Sequence, residues 1–140
     1  MTKKLTSERF LQMVAKSGIV DAKASDRLVG KVCKKFDGGL PENPKKLASL
    51  FVREGLLTEW HIEKLLAGKY KGFFLGKYKL LGHIGTGGMS SVYLCEHTRM
   101  GDKRAIKVLP KSRVHDATYL ARFMLEAKAI ASLNHPNIVL

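Results

Sequence analysis

The chain has 140 residues, 45% of them hydrophobic and 26% charged, a balance that excludes a disordered or fibrous polymer and fits one ordinary domain or two very small ones. The formal net charge is +13, from 25 Lys+Arg against 12 Asp+Glu, which raises nucleic acid as a partner. The excess is spread along the chain with one concentration at Lys69, Lys71, Lys77 and Lys79, and no nucleic-acid module accompanies it, so a solvated basic surface is expected and no nucleic-acid partner.

Glu8, Arg9 and Lys16 interrupt the apolar stretch near the N-terminus, and no small-residue cleavage site comes after it, unlike a secretory signal. No apolar run is long enough to span a bilayer, so a cytoplasmic chain with no membrane segment is expected. Cys33 and Cys95 fit no paired metal or redox spacing and read as two reduced thiols.

Residues 1–68 read as a helical module that repeats itself. "FLQMVAKSGIVDAKASDRL" (Phe10 to Leu28) and "LASLFVREGLLTEWHIEKLL" (Leu47 to Leu66) superpose with Gly18 on Gly55, Asp21 on Thr58 and Leu28 on Leu65. Each half has a helix, a glycine stop, two apolar residues, a capping Asp or Thr and a second helix. Between the halves, "CKKFDGGLPENPKK" carries paired glycines and two prolines and reads as a loop. Two helical hairpins are expected on one small core, serving as an interaction or regulatory element for a protein partner. His61 is expected to be a partly exposed helix residue with no chemical role. Residues 69–76 connect this module to the rest, and their aromatic pair, Phe73-Phe74, is expected to dock the helices on the next domain.

From residue 77 the period changes from 3.6 to 2. "KYKLLGHI" (Lys77 to Ile84) and "SVYLCEH" (Ser91 to His97) predict strands flanking the glycine-rich stretch Gly85-Thr86-Gly87-Gly88-Met89-Ser90. A turn around Gly101-Asp102 leads into a third strand, Arg104 to Leu109, closed by Pro110. A long helix runs from about Ala117 to Asn134, capped by Asp116, and Ile138-Val139-Leu140 starts another strand. The fold class expected is α+β: an all-helical module, then an antiparallel sheet with one long helix.

The glycine stretch is a phosphate cradle only in context. A dinucleotide fold needs a helix after it, whereas Val92-Tyr93-Leu94-Cys95 reads as strand; a Walker loop needs Gly-Lys-Ser/Thr, and Met89-Ser90-Ser91 has no lysine. A hairpin tip without side chains still brings backbone N–H groups to a polyphosphate. Lys107 supplies the cation such a site needs. Strand alternation puts it on one face with Ala105, which leaves room for a flat base that Val92 covers.

Together "IGTGGMSSVY", "AIK", "RFMLEA" and "LNHPNIV" resemble the N-lobe of protein kinases in order and spacing, most of all bacterial eukaryotic-like Ser/Thr kinases, over Leu75 to Leu140. The resemblance implies an incomplete kinase domain at residues 77–140, N-lobe only, that binds ATP through Ile84, Gly85, Thr86, Gly87, Gly88, Met89, Ser90, Ser91, Val92, Ala105 and Lys107. It makes Lys107 the candidate catalytic residue at the α/β-phosphates and Glu126 the acid that pairs with it. From pattern alone, Glu126 shares a stripe with Tyr119, Phe123, Ile130 and Leu133 and needs a cation there. Arg122, one turn earlier, is the other partner open to it.

Ser90 stands where the family carries its third glycine, at a cost of about 1–2 kcal/mol if that backbone is left-handed and little if it is extended. The His-Arg-Asp and Asp-Phe-Gly motifs, which supply the catalytic aspartate and the Mg²⁺ ligands of a complete kinase acting on a protein substrate, are absent from these 140 residues. By family the chain is therefore part of a Ser/Thr protein kinase, while by itself it is expected to be inactive. The alternative is a non-catalytic binding or regulatory module that retains a kinase remnant.

Overall fold

The computed structural model describes residues 5–87, 90–109 and 116–132, and divides into two compact units, residues 1–82 and 83–140. The first unit holds four helices: α1 (Ser7–Ser17), α2 (Ala22–Lys35), α3 (Pro44–Arg53) and α4 (Glu59–Leu66). Their ends obey the repeat. Gly18 and Gly55 both take the left-handed conformation, with φ of 73° and 75°, which glycine adopts without a Cβ clash. Asp21 accepts a hydrogen bond from the Ala24 N–H and Thr58 accepts one from the His61 N–H, so each second helix begins at a satisfied cap. Thr6 and Asn43 cap the two first helices in the same way.

All four helices contribute to one core. Phe10, Met13 and Val14 of α1 meet Leu47, Ala48 and Phe51 of α3, with Leu28 and Val32 from α2 and Leu65 from α4. Phe10 and Phe51 touch edge to face at 5.9 Å between ring centroids, a favoured aromatic geometry. Ser7 is buried too, and its hydroxyl donates to the Pro41 carbonyl, tying α1 to the loop between the hairpins.

The aromatic pair after the helices splits. Phe73 is 3% exposed and is itself part of the helical core, whereas Phe74 is 38% exposed and begins β1 (Phe74–Leu75), a two-residue strand inside the stretch expected only to connect. One of the two phenylalanines therefore seals the helical unit. Next comes β2 (Tyr78–Gly87), paired antiparallel with β1. It runs three residues beyond the expected strand, so the first glycines of the loop are still extended backbone.

Strands β3 (Ser90–His97) and β4 (Lys103–Val108) form an antiparallel hairpin, and the four strands are ordered along the sheet as along the chain. Gly101 turns the hairpin at φ 73°, and the His97 ring accepts hydrogen bonds through Nδ1 from the Arg99 and Met100 N–H groups. Helix α5 (Ala117–Ser132) opens at Asp116, whose carboxylate accepts from the Thr118 and Tyr119 N–H groups. Pro110, the segment from Leu133 and the strand expected at Ile138–Leu140 lie outside the described residues. Among the described residues no helix is long and apolar enough to cross a membrane.

Candidate functional site

The β3–β4 register builds the site. Val92 stands opposite Lys107 and Leu94 opposite Ala105, and residues directly opposed across a ladder project to the same face. Val92, Leu94, Ala105 and Lys107 thus share one face, and Ser91, Tyr93, Cys95, Ile106 and Val108 share the other. On β4 the first face is open: Ala105 and Lys107 are exposed while Ile106 and Val108 are half-buried. This register puts Lys107 on one face with Ala105, directly opposite Val92.

Ile84 joins that face by a second route. The His83 ring stacks edge to face on Tyr93 at 5.2 Å, which fixes His83 on the Tyr93 side, and strand alternation then sends Ile84 to the opposite side with Val92. Ile84 is 59% exposed, an unusual state for an isoleucine inside a strand. The face therefore offers three branched apolar side chains (Ile84, Val92 and Leu94), one methyl group and one ammonium.

Gly85 neither adopts a positive φ nor faces a crowding neighbour; a Cβ built there meets nothing within 4 Å. Neither the turn nor the packing of this chain requires glycine at that position, so its effect is to keep the strand surface bare. Thr86 shares a 3.2 Å hydrogen bond with the His83 ring. Ser90 is part of β3, is 5% exposed, and has no positive φ. Serine in place of the third glycine therefore carries no left-handed strain. Gly88, Met89 and the side chain of Glu126 lie outside the described residues; Glu126 occurs within α5.

Residues 78–140 match the protein kinase domain family. The match covers slightly under half of the chain. The kinase segment is similar to bacterial serine/threonine kinases: 48% identical over 67 residues to the probable serine/threonine-protein kinase PknB of Lactococcus lactis, 44% over 64 to PrkC of Bacillus subtilis, and 42% over 69 to PknF of Mycobacterium tuberculosis. The aligned stretches cover 47%, 46% and 49% of this chain, but only 11%, 10% and 14% of those proteins. The matched segment includes the glycine-rich stretch, β4 with Lys107, and α5.

On the other face of the β3–β4 hairpin, Cys95 is fully buried and its thiol donates to the Arg104 carbonyl at 3.2 Å; burial pushes the thiol up and keeps it protonated. Asp102 and Arg104 pair at 2.7 Å on the exposed turn, and the guanidinium holds the Asp102 carboxyl below its usual range. Neither group adjoins the Lys107 face.

His61 departs from expectation. It is 1% exposed, not partly exposed, because it completes a capping box: Thr58 N–H donates to His61 Nδ1 at 3.0 Å, and His61 Nε2 lies 2.6 Å from the Leu80 carbonyl. An acceptor at Nδ1 and a carbonyl at Nε2 fix the neutral tautomer protonated at Nε2. Burial holds its pKa below the ordinary imidazole value, against the raising effect of the Leu80 bond, and Lys79 adds to the depression. The order Thr58-Glu59-Trp60-His61 hides this box, since glutamate or glutamine ordinarily fills the third helical position.

Proposed function

We propose that this chain is the ATP-binding N-terminal portion of a Ser/Thr protein kinase, which in the complete enzyme transfers the γ-phosphoryl group of ATP to a protein hydroxyl. The observation that carries the reading is the face shared by Ile84, Val92, Ala105 and Lys107 within a segment that matches the kinase family. A flat apolar base needs small and branched neighbours on one side, and an anionic tail needs a cation at its end; the residues present fit both. Ile84, Val92 and Ala105 would bind the base, the bare backbone from Gly85 to Ser90 would approach the phosphates, and Lys107 would hold them.

ATP bound there supplies an activated phosphoryl group, with Mg²⁺ as its counter-ion in a complete kinase. Lys107 would neutralise charge on the tail, and the family resemblance gives Glu126 as the acid that would pair with it. Orientation of the nucleotide is all that these residues accomplish, because the aspartates that hold Mg²⁺ and position the hydroxyl are not among the 140 residues. The chain alone therefore binds nucleotide and transfers nothing.

The test is a titration of the purified chain with a fluorescent ATP analogue, beside Lys107→Met. Saturable binding that the substitution abolishes supports the reading. Equal binding by both proteins, or phosphate transfer to a basic protein substrate that Lys107→Met eliminates, would overturn the site or the inactivity respectively.

A further inference from the structure

The capping box at the start of α4 does more than end a helix. Thr58 Oγ1 donates to the Leu81 carbonyl at 2.6 Å, and His61 Nε2 donates to the neighbouring Leu80 carbonyl. Two successive carbonyls of β2 are thus held by two side chains of one helix terminus. Thr58 and His61 are in turn locked to each other, through Thr58 N–H to Nδ1 and His61 N–H to Oγ1. Trp60 and Phe73 flank the imidazole, with Phe73 edge-on at 5.5 Å, and Leu80 is itself buried and bonded through its N–H to the Phe73 carbonyl. Lys79 also reaches back, donating to the Ile19 carbonyl at 3.4 Å.

The ring can serve both partners only while neutral, since imidazolium has no acceptor for the Thr58 N–H. We propose that Thr58 and His61 are a proton-sensitive latch on β2: the neutral ring accepts from Thr58 N–H while it donates to Leu80, and a proton on Nδ1 expels the Thr58 N–H, opening the box that holds Thr58 against Leu81 and leaving β2 held at Leu80 alone. The charged groups near the ring are Lys79 on β2, which opposes a positive charge on it, and Lys64 on α4, which lies over the neighbouring Trp60 ring at 5.9 Å; among the described residues no carboxylate acts on the ring. Phe73 and Trp60 offer no counter-charge. A proton on His61 therefore meets burial and repulsion with no compensating anion. Because β2 continues without a break from Leu81 to Ile84 and Gly87, release of the latch loosens the strand that carries the glycine loop. This last consequence rests on the nucleotide reading; the latch itself does not.

The experiment uses the whole chain and the variant His61→Gln, whose single amide retains one acceptor and one donor but does not titrate. Imidazole nitrogen shifts are recorded first for the wild-type protein, which requires no variant to fold. The ring is expected in the Nε2-protonated form near neutrality, titrating below a free histidine. Amide exchange at Thr58 and Leu80–Gly82, corrected for intrinsic rates, is then compared between about pH 8 and about pH 5, the range over which histidine changes charge. Exchange should rise several-fold on acidification in the wild type and stay flat in His61→Gln, with affinity for the ATP analogue falling in the wild type only. An Nδ1-protonated ring, free-histidine titration, or the same exchange profile in both proteins would overturn the latch. If neither protein binds the analogue at any pH, the nucleotide reading falls while the exchange profile still decides the latch.

Discussion

Phe73 gives the sharpest test of how the helical unit is closed. Its side chain is 3% exposed and meets Trp60 at 5.7 Å and His61 at 5.5 Å, both edge to face. Truncating a buried phenylalanine to alanine costs about 3–5 kcal/mol through lost burial and the cavity left behind. A unit of 82 residues at about 0.05–0.15 kcal/mol per residue has about 4–12 kcal/mol in total, so Phe73→Ala removes at least a quarter of it. Phe74→Ala is the control: the ring is 38% exposed, and the cost is about 1 kcal/mol or less. Trp60, the single tryptophan of the chain, lies against Phe73 and reports the unfolding directly by fluorescence. In urea, with a slope of about 1–3 kcal/mol per molar, Phe73→Ala should lower the midpoint by about 1 M or more and Phe74→Ala by much less. Equal midpoints for the two variants would refute the claim that Phe73 belongs to the helical core.

Wild-type stability, monitored by the same fluorescence, should fall as pH drops below 6.5 and continue to fall to the depressed pKa of folded His61, because the unfolded chain takes up the proton first; His61→Gln should remove that portion of the pH profile. Gly18→Ala and Gly55→Ala should each destabilise by about 1–2 kcal/mol in thermal melts, since both positions are left-handed. Gly30→Ala should instead stabilise by about 0.5–1 kcal/mol, because Gly30 is inside α2 with no positive φ and open space around its missing Cβ. Thr58→Ala should cost about 1–2 kcal/mol as a lost cap and also expose the Leu81 carbonyl to solvent, seen as faster amide exchange around Gly82.

Local chemistry is the legible part of this fold. The helix ends at Gly18 and Gly55 and the caps at Asp21, Thr58 and Asp116 are each set by a residue and its immediate neighbours, so the chain announces them. The face of Lys107 comes from alternation alone. The burial of His61 is not legible, because it depends on β2, about twenty residues further on, and no periodicity within α4 shows a partner that far away. The split between Phe73 and Phe74 is hidden for a similar reason: adjacent aromatics look alike until a strand turns one inward. The backbone at Ser90 is open in the sequence, since a serine there is compatible with two conformations and only coordinates distinguish them.

The twin hairpins of the helical unit are alike in outline and unlike in duty. Superposing Gly18 on Gly55 brings Ala24 to the place of His61 and Asp21 to the place of Thr58. The first copy ends its turn with an ordinary carboxylate cap and a methyl group, and so has nothing with which to reach outward. Only the second copy has acquired the pair of side chains that seizes another segment. A duplicated scaffold has thus been divided into a half that supplies bulk and a half that supplies grip, and substitutions at matching positions of the two halves should have unequal consequences for the strand beyond them.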